Sequence, residues 1–236
     1  MKTPANVGTI AGDAERIPLA CLLCRRNAAA STNDKGRHMV QQLPPHAVAP
    51  GVVDGFADLV TSARDFVDAL CASEAPEDLQ RGVAQTLRSA AAELRSHTVD
   101  RDEAPAGRRP DLPGQGHPLL PAVVVTELCE GRVRAEVTFG AAHHGSGGAV
   151  HGGVIPLVYD DVLGRLAARS VVPVARTRSL EVSYEAVTPV ARRLYIEGWI
   201  DELNGRKIFT SGCMSDGTRV LTTAKGFFVA LRPGQP

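Results

Sequence analysis

The sequence predicts an α+β domain, an antiparallel sheet wrapped around one long central helix, preceded by an N-terminal helical extension. Three observations carry this. Strand-like and helical stretches follow one another as β-β-α-β-β-β-β in the C-terminal half. Within that run a single stretch, from about Gly153 to Arg169, keeps helical spacing, with Ile155, Val158, Tyr159, Val162 and Leu166 on one apolar stripe. Finally, Glu130-Gly131, Asn204-Gly205 and Asp216-Gly217 read as tight hairpin turns, which join antiparallel neighbours.

Residues 1–50 show no sustained period and are rich in Ala, Pro, Asn and Gly; they read as a poorly ordered arm with a short apolar contact at Leu19–Leu23. Residues 51–98 read as a helical hairpin. Phe56, Leu59, Val60, Ala63, Phe66, Val67 and Leu70 fall at helical spacing, and Leu79, Val83, Leu87, Ala91 and Leu94 mark a second amphipathic helix. Between them Ser73 is a candidate cap and Pro76 suits a first turn. Two short apolar-striped helices rarely hold alone, so the hairpin is expected to pack on the outside of the core. Residues 99–121, with Pro105, Pro110, Pro113, Gly114, Gly116, Pro118 and Pro121, read as a linker. The sheet-and-helix domain then occupies 122–232. Its strands are expected at Ala122–Cys129 and Arg132–Phe139, then near 176–187, 192–202, 206–215 and 219–231.

Composition narrows the function. The chain has 236 residues, 26 basic and 26 acidic, so its zero net charge argues against nucleic acid as a partner. Cys21, Cys24, Cys71, Cys129 and Cys213 are odd in number and scattered, which points to a reducing cytoplasm. Asp13 and Glu15 precede the apolar run Ile17–Cys24, which a signal peptide would avoid, and no stretch is long enough for a membrane span. Cys21 and Cys24 lack a second pair, and His143 and His144 lack an adjacent acid or thiol, so no metal is expected. Ser179, Ser183 and Ser211 lie in no Gly-x-Ser-x-Gly elbow.

Val150-His151-Gly152-Gly153 leading into the predicted helix is the most informative stretch. A helix start has free N–H groups and a positive dipole end, so it can hold an oxyanion, and glycines allow a carbonyl close to the backbone. Asp160 and Asp161 follow about two turns later, both off the buried stripe; either can activate a water. Gly152 and Asp160 are eight positions apart, about 12 Å along a helix axis, too far to serve one carbonyl within one subunit. Two antiparallel helices in a symmetric dimer would bring the glycine of one near the acid of the other.

This order and these residues resemble the hotdog fold, specifically acyl-CoA thioesterases of the PaaI type, over about residues 117–232. The family pattern is a His-Gly-Gly turn, an Asp nine residues after the His, a small residue after the helix, and a Pro ending the next strand; here these are His151-Gly152-Gly153, Asp160, Gly164 and Pro189. Gly205 to Phe209, Asp216-Gly217 and Ala224 to Val229 resemble the closing strands. The resemblance implies that the Gly152 N–H polarises a thioester carbonyl and that Asp160 is nucleophile or general base. It implies that Ser179, ten residues before Pro189, places the water. His151, Gly153, His144 and Gly145 would line the substrate. One departure is Gly145, six residues before His151, where some relatives carry Asn; the neighbouring His144 is the candidate substitute. The implied partner is an acyl-CoA or acyl-carrier-protein thioester, no cofactor is expected, and the implied assembly is a homodimer or dimer of dimers. A non-catalytic acyl-CoA-binding protein is the competing reading. A hotdog hydratase ranks below both, because no His follows Asp160 on the helix.

Overall fold

The computed structural model describes residues 54–170, 174–232 and 234–235; the arm expected at 1–50 lies outside them. In chain order the elements are α1 (Gly55–Ala72), α2 (Glu77–Arg95), β1 (Val124–Cys129), β2 (Arg132–Thr138), α3 (Val154–Ser170), β3 (Ala175–Tyr184), β4 (Arg193–Asn204), β5 (Lys207–Ser215) and β6 (Val220–Ala230). Strands pair antiparallel throughout, in the order β1-β2-β4-β5-β6-β3. The chain leaves β2, crosses the sheet as α3, and returns as β3 at the far edge.

Alternation along the strands puts one face of the sheet on α3. Val133, Ala135 and Val137 of β2 are buried, as are Leu194 and Ile196 of β4 and Ala224 and Phe228 of β6. They receive Ile155, Val158, Tyr159, Val162, Leu163, Leu166 and Ala167, the buried stripe of α3. Each large side chain of that stripe contributes about 1.5–3 kcal/mol by burial. The helix sits low because Gly198 and Gly212 are register partners beneath it. A Cβ at Gly198 would lie 2.7 Å from Leu163 Cδ2, and one at Gly212 would lie 3.3 Å from the same methyl.

The two N-terminal helices differ. Asp54 caps α1, its Oδ1 accepting from the Phe56 and Ala57 N–H groups. α1 buries Val60, whereas α2 buries no residue and leaves Leu79, Leu87 and Leu94 exposed. Ser73 ends α1, and Pro76 itself stands at the cap position of α2 without a side-chain cap, so the expected Ser73 cap does not form. The Pro- and Gly-rich segment 99–121 is tied down. Arg64 of α1 donates from Nη2 to the carbonyls of Pro113, His117 and Leu120 at 3.0, 2.9 and 3.3 Å. Left-handed backbone at Gly114, Gln115 and Gly116 turns this strap back, and Gln115 Nε2 donates to Asp161 of α3 at 2.6 Å. Among the described residues, no helix is long and apolar enough to cross a membrane.

Candidate active site

Asp160 lies on an exposed face of α3, with its Oδ1 accepting from the Thr177 hydroxyl of β3 at 2.7 Å. Asp161, the next residue, is closed off. Arg165, one turn on, donates to it from Nη2 at 2.8 Å, Gln115 donates from the other side, and its side chain is 5% exposed. Of the two acids, only Asp160 is open to a reactant.

Ser179 is not beside Asp160. A bulge between Thr177 and Ser179 adds one residue to β3 and reverses the alternation there. Thr177 pairs with Phe228, which faces α3, and Ser179 pairs with Phe227 on the outer face. Ser179 therefore lines a groove of about 730 Å³ across the sheet from Asp160, with Glu181, Trp199, Phe209, Lys225 and Phe227. Pro189 does not end β3, which stops at Tyr184; it lies in the following loop, bridged to Ala149. Gly164 likewise lies inside α3 rather than after it.

The entrance to α3 forms a second cluster. His151 Nδ1 accepts the Gly153 N–H at 3.1 Å, which places the ring hydrogen on Nε2, and the His151 carbonyl accepts the Val154 N–H at 2.9 Å. The Tyr184 hydroxyl, at the end of β3, donates to the Gly152 carbonyl at 2.7 Å. Among the described residues the Gly152 N–H has no acceptor. A Cβ at Gly152 would meet nothing nearer than the Tyr184 hydroxyl at 3.7 Å, so open space surrounds this position. His151 thus reads as a cap of the turn, and Gly152 as its free donor. At Gly145 a Cβ would lie 2.9 Å from the His151 Cα, so this loop has no room there for the Asn of some relatives. His144 is exposed, its backbone bridged to Val150.

A family profile described as thioesterase superfamily matches residues 147–223, which hold both clusters. A crystal structure of a thioesterase superfamily protein is 31% identical, covers 76% of this chain and 96% of its own, with a TM-score of 0.64. The chain belongs to the thioesterase superfamily. In this superfamily member the sheet around α3 is the hotdog fold. The 31%-identical relative covers more of the chain than the sheet and α3 occupy, so the likeness reaches into the N-terminal helical extension. A phenylacetic acid degradation-related protein from Ralstonia eutropha is 17% identical, covering 46% of this chain and 84% of its own, with a TM-score of 0.44. A hypothetical thioesterase from Streptococcus pneumoniae, solved with coenzyme A, is 14% identical over 46% of this chain and 85% of its own, with a TM-score of 0.44. No curated protein matches the chain.

In this thioesterase-superfamily protein the loop before the His-Gly-Gly turn is also ordered by side chains. His143 Nδ1 accepts the Gly140 N–H at 3.2 Å, and its ring meets Phe139 edge-on at 5.5 Å. Burial holds the His143 imidazole below its ordinary pKa of 6.5. The His143 carbonyl accepts the His151 N–H at 2.8 Å. Neither Thr177 nor Tyr184 was anticipated. Thr177 was hidden by the bulge, while Tyr184 carried a readable signal, a polar-tipped aromatic at the end of the strand after the helix.

Proposed function

We propose that the protein hydrolyses an acyl thioester, acyl-CoA or acyl-carrier-protein, to free acid and thiol in the cytoplasm, as a homodimer or dimer of dimers. The observation that carries this is the layout of the two clusters along β3. Asp160 with Thr177 stands at one end of that strand, Gly152 with Tyr184 at the other, and β3 has a free edge. Antiparallel pairing of β3 with a second copy, about a two-fold near Leu180 and Glu181, sets Thr177 of one chain opposite Tyr184 of the other. Each Asp160 then faces the other chain's Gly152, which closes the roughly 12 Å offset along the helix.

In this arrangement the Gly152 N–H donates to the thioester oxygen and holds the negative charge that develops there. Thr177 occupies Oδ1 of Asp160 and leaves the second oxygen for water. Asp160 takes a proton from that water as its oxygen attacks the carbonyl carbon. The tetrahedral intermediate collapses with cleavage of the C–S bond, and the proton passes to the leaving thiolate. Attack by Asp160 itself is the other course. A single turnover in ¹⁸O water separates the two. The general-base course puts the label in the product acid. In the nucleophilic course Asp160 expels the thiolate to form a mixed anhydride, water opens that anhydride at the Asp160 carbonyl, and the label enters Asp160 while the product acid leaves unlabelled. The crowding at Gly145 favours one further reading, an acyl-CoA-binding protein without turnover. Release of free CoA across short, medium, long and aromatic acyl-CoAs, with acyl-carrier-protein esters beside them, decides between hydrolysis and binding.

A further inference from the structure

The proposed chemistry uses nothing from α1, yet α1 reaches the Gly140–His143 turn, which is hydrogen-bonded to the turn that carries the free N–H. The Asp68 carboxylate accepts the Ala142 N–H at 2.8 Å. It also lies flat against Gly140, where a Cβ would sit 2.0 Å from Asp68 Oδ2. This carboxylate therefore straddles the turn Gly140–His143, which closes on itself through the His143 N–H to the Gly140 carbonyl at 3.1 Å. One link further on, the His143 carbonyl holds the His151 N–H. His151 then caps Gly153 and flanks Gly152. A continuous path of hydrogen bonds and covalent backbone runs from α1 to the proposed oxyanion donor.

We propose that Asp68 is a positioning residue for thioester hydrolysis: by clamping the Gly140–His143 turn it fixes His151, and so the direction of the Gly152 N–H. The inference rests on the reading of Gly152 as the oxyanion donor. It also gives the helical extension a role in the reaction rather than one confined to packing. Gly140 is part of the device, since any side chain there would displace the carboxylate. The rest of α1 is anchored independently. Arg64 holds three carbonyls of the strap, Arg109 bridges Asp54 and Asp111, and Val60 is buried. Loss of the Asp68 carboxylate therefore leaves the helix docked.

The test compares Asp68→Ala, Asp68→Asn, Gly140→Ala and the double variant Asp68→Ala/Gly140→Ala in the full chain. Steady-state kinetics on the best acyl-CoA are measured alongside hydrogen exchange at the His151 amide. Misaiming a donor by about 1 Å costs on the order of 10²-fold. Asp68→Ala is expected to lower kcat by about ten- to a hundredfold with KM within about threefold. Asn keeps an oxygen for the Ala142 N–H, so Asp68→Asn is expected to recover most of kcat. Gly140→Ala alone is expected to fall at least as far as Asp68→Ala, and the double variant to regain the Asp68→Ala level. The His151 amide is expected to exchange faster in Asp68→Ala. An unchanged kcat in Asp68→Ala, a KM-only effect, or Asp68→Asn as impaired as Asp68→Ala overturns the proposal. If the unaltered protein turns over no thioester, the hydrolase reading fails. The exchange data then decide the coupling alone: faster His151 exchange sustains it, and unchanged exchange removes it.

Discussion

Asp160 and Asp161 are sequence neighbours with opposite fates. The first is exposed with one oxygen free, and the second is enclosed by Arg165 and Gln115. Asp160→Asn is expected to lower kcat about 10²–10⁴-fold, the usual cost of losing a general base, with little change in melting temperature. Asp161→Asn is expected to do the reverse. It leaves Arg165 without its carboxylate, a loss of about 1–3 kcal/mol by chemical denaturation, with kcat near that of the unaltered protein. Equal effects on both readouts for both variants would sink this division. Thr177→Val is expected to reduce kcat by about tenfold, near 1.4 kcal/mol, and Ser179→Ala to leave it unchanged. A catalytic defect confined to Ser179→Ala would return the role to the outer face. The place of Asp160 off the buried stripe was readable because spacing on a helix translates into direction; the enclosure of Asp161 was not, because Gln115 reaches it from far away in sequence. The hydroxyl was not, because a bulge cannot be counted from residue types in a strand such as Ala175–Tyr184.

Among elements, α3 and the strands β2, β4, β5 and β6 followed from periodicity and turn residues because each buries one face. The strap 99–121 did not. Its composition reads as linker, and its order comes from partners far away in sequence, Arg64 and Asp161. The loop Gly140–His143 depends on a neutral His143, whose folded pKa lies below 6.5 because it is buried. The unfolded chain therefore binds the proton more readily. Stability from this residue is complete above the unfolded value and is lost as pH falls through it toward the lower folded value. Melting temperature is expected to drop as pH falls below about 6.5, and the drop to shrink in His143→Gln. Identical pH profiles for the two proteins would assign the titration elsewhere. At the seat of α3, Gly198→Ala is expected to cost about 1–3 kcal/mol, because its Cβ enters the space of Leu163 and Val133.

At the scale of the whole molecule, the proposed dimer joins the two clusters across β3. Mixing Asp160→Asn chains with Gly152→Pro chains, each inactive, is expected to restore activity. A random mixture holds about half heterodimers, each with one intact pairing of acid and donor, which sets recovery near a quarter of the unaltered level. Full activity from a monomer in light scattering would refute the shared site. The sheet order has a consequence for synthesis. β3 carries Thr177 and Tyr184, yet its partner within the sheet is β6, the last strand made. On the ribosome the β4–β5–β6 meander can zip by local turns, while β3, already emerged, waits with two open edges until Val220–Ala230 is released. Arg176, Arg178 and Glu181 along that waiting strand are the kind of charges that keep a nascent edge from pairing with a neighbouring chain. The segment that completes the proposed site is thus also the last to be committed, and a chain stalled before its final strand holds the acid without the hydroxyl that orients it.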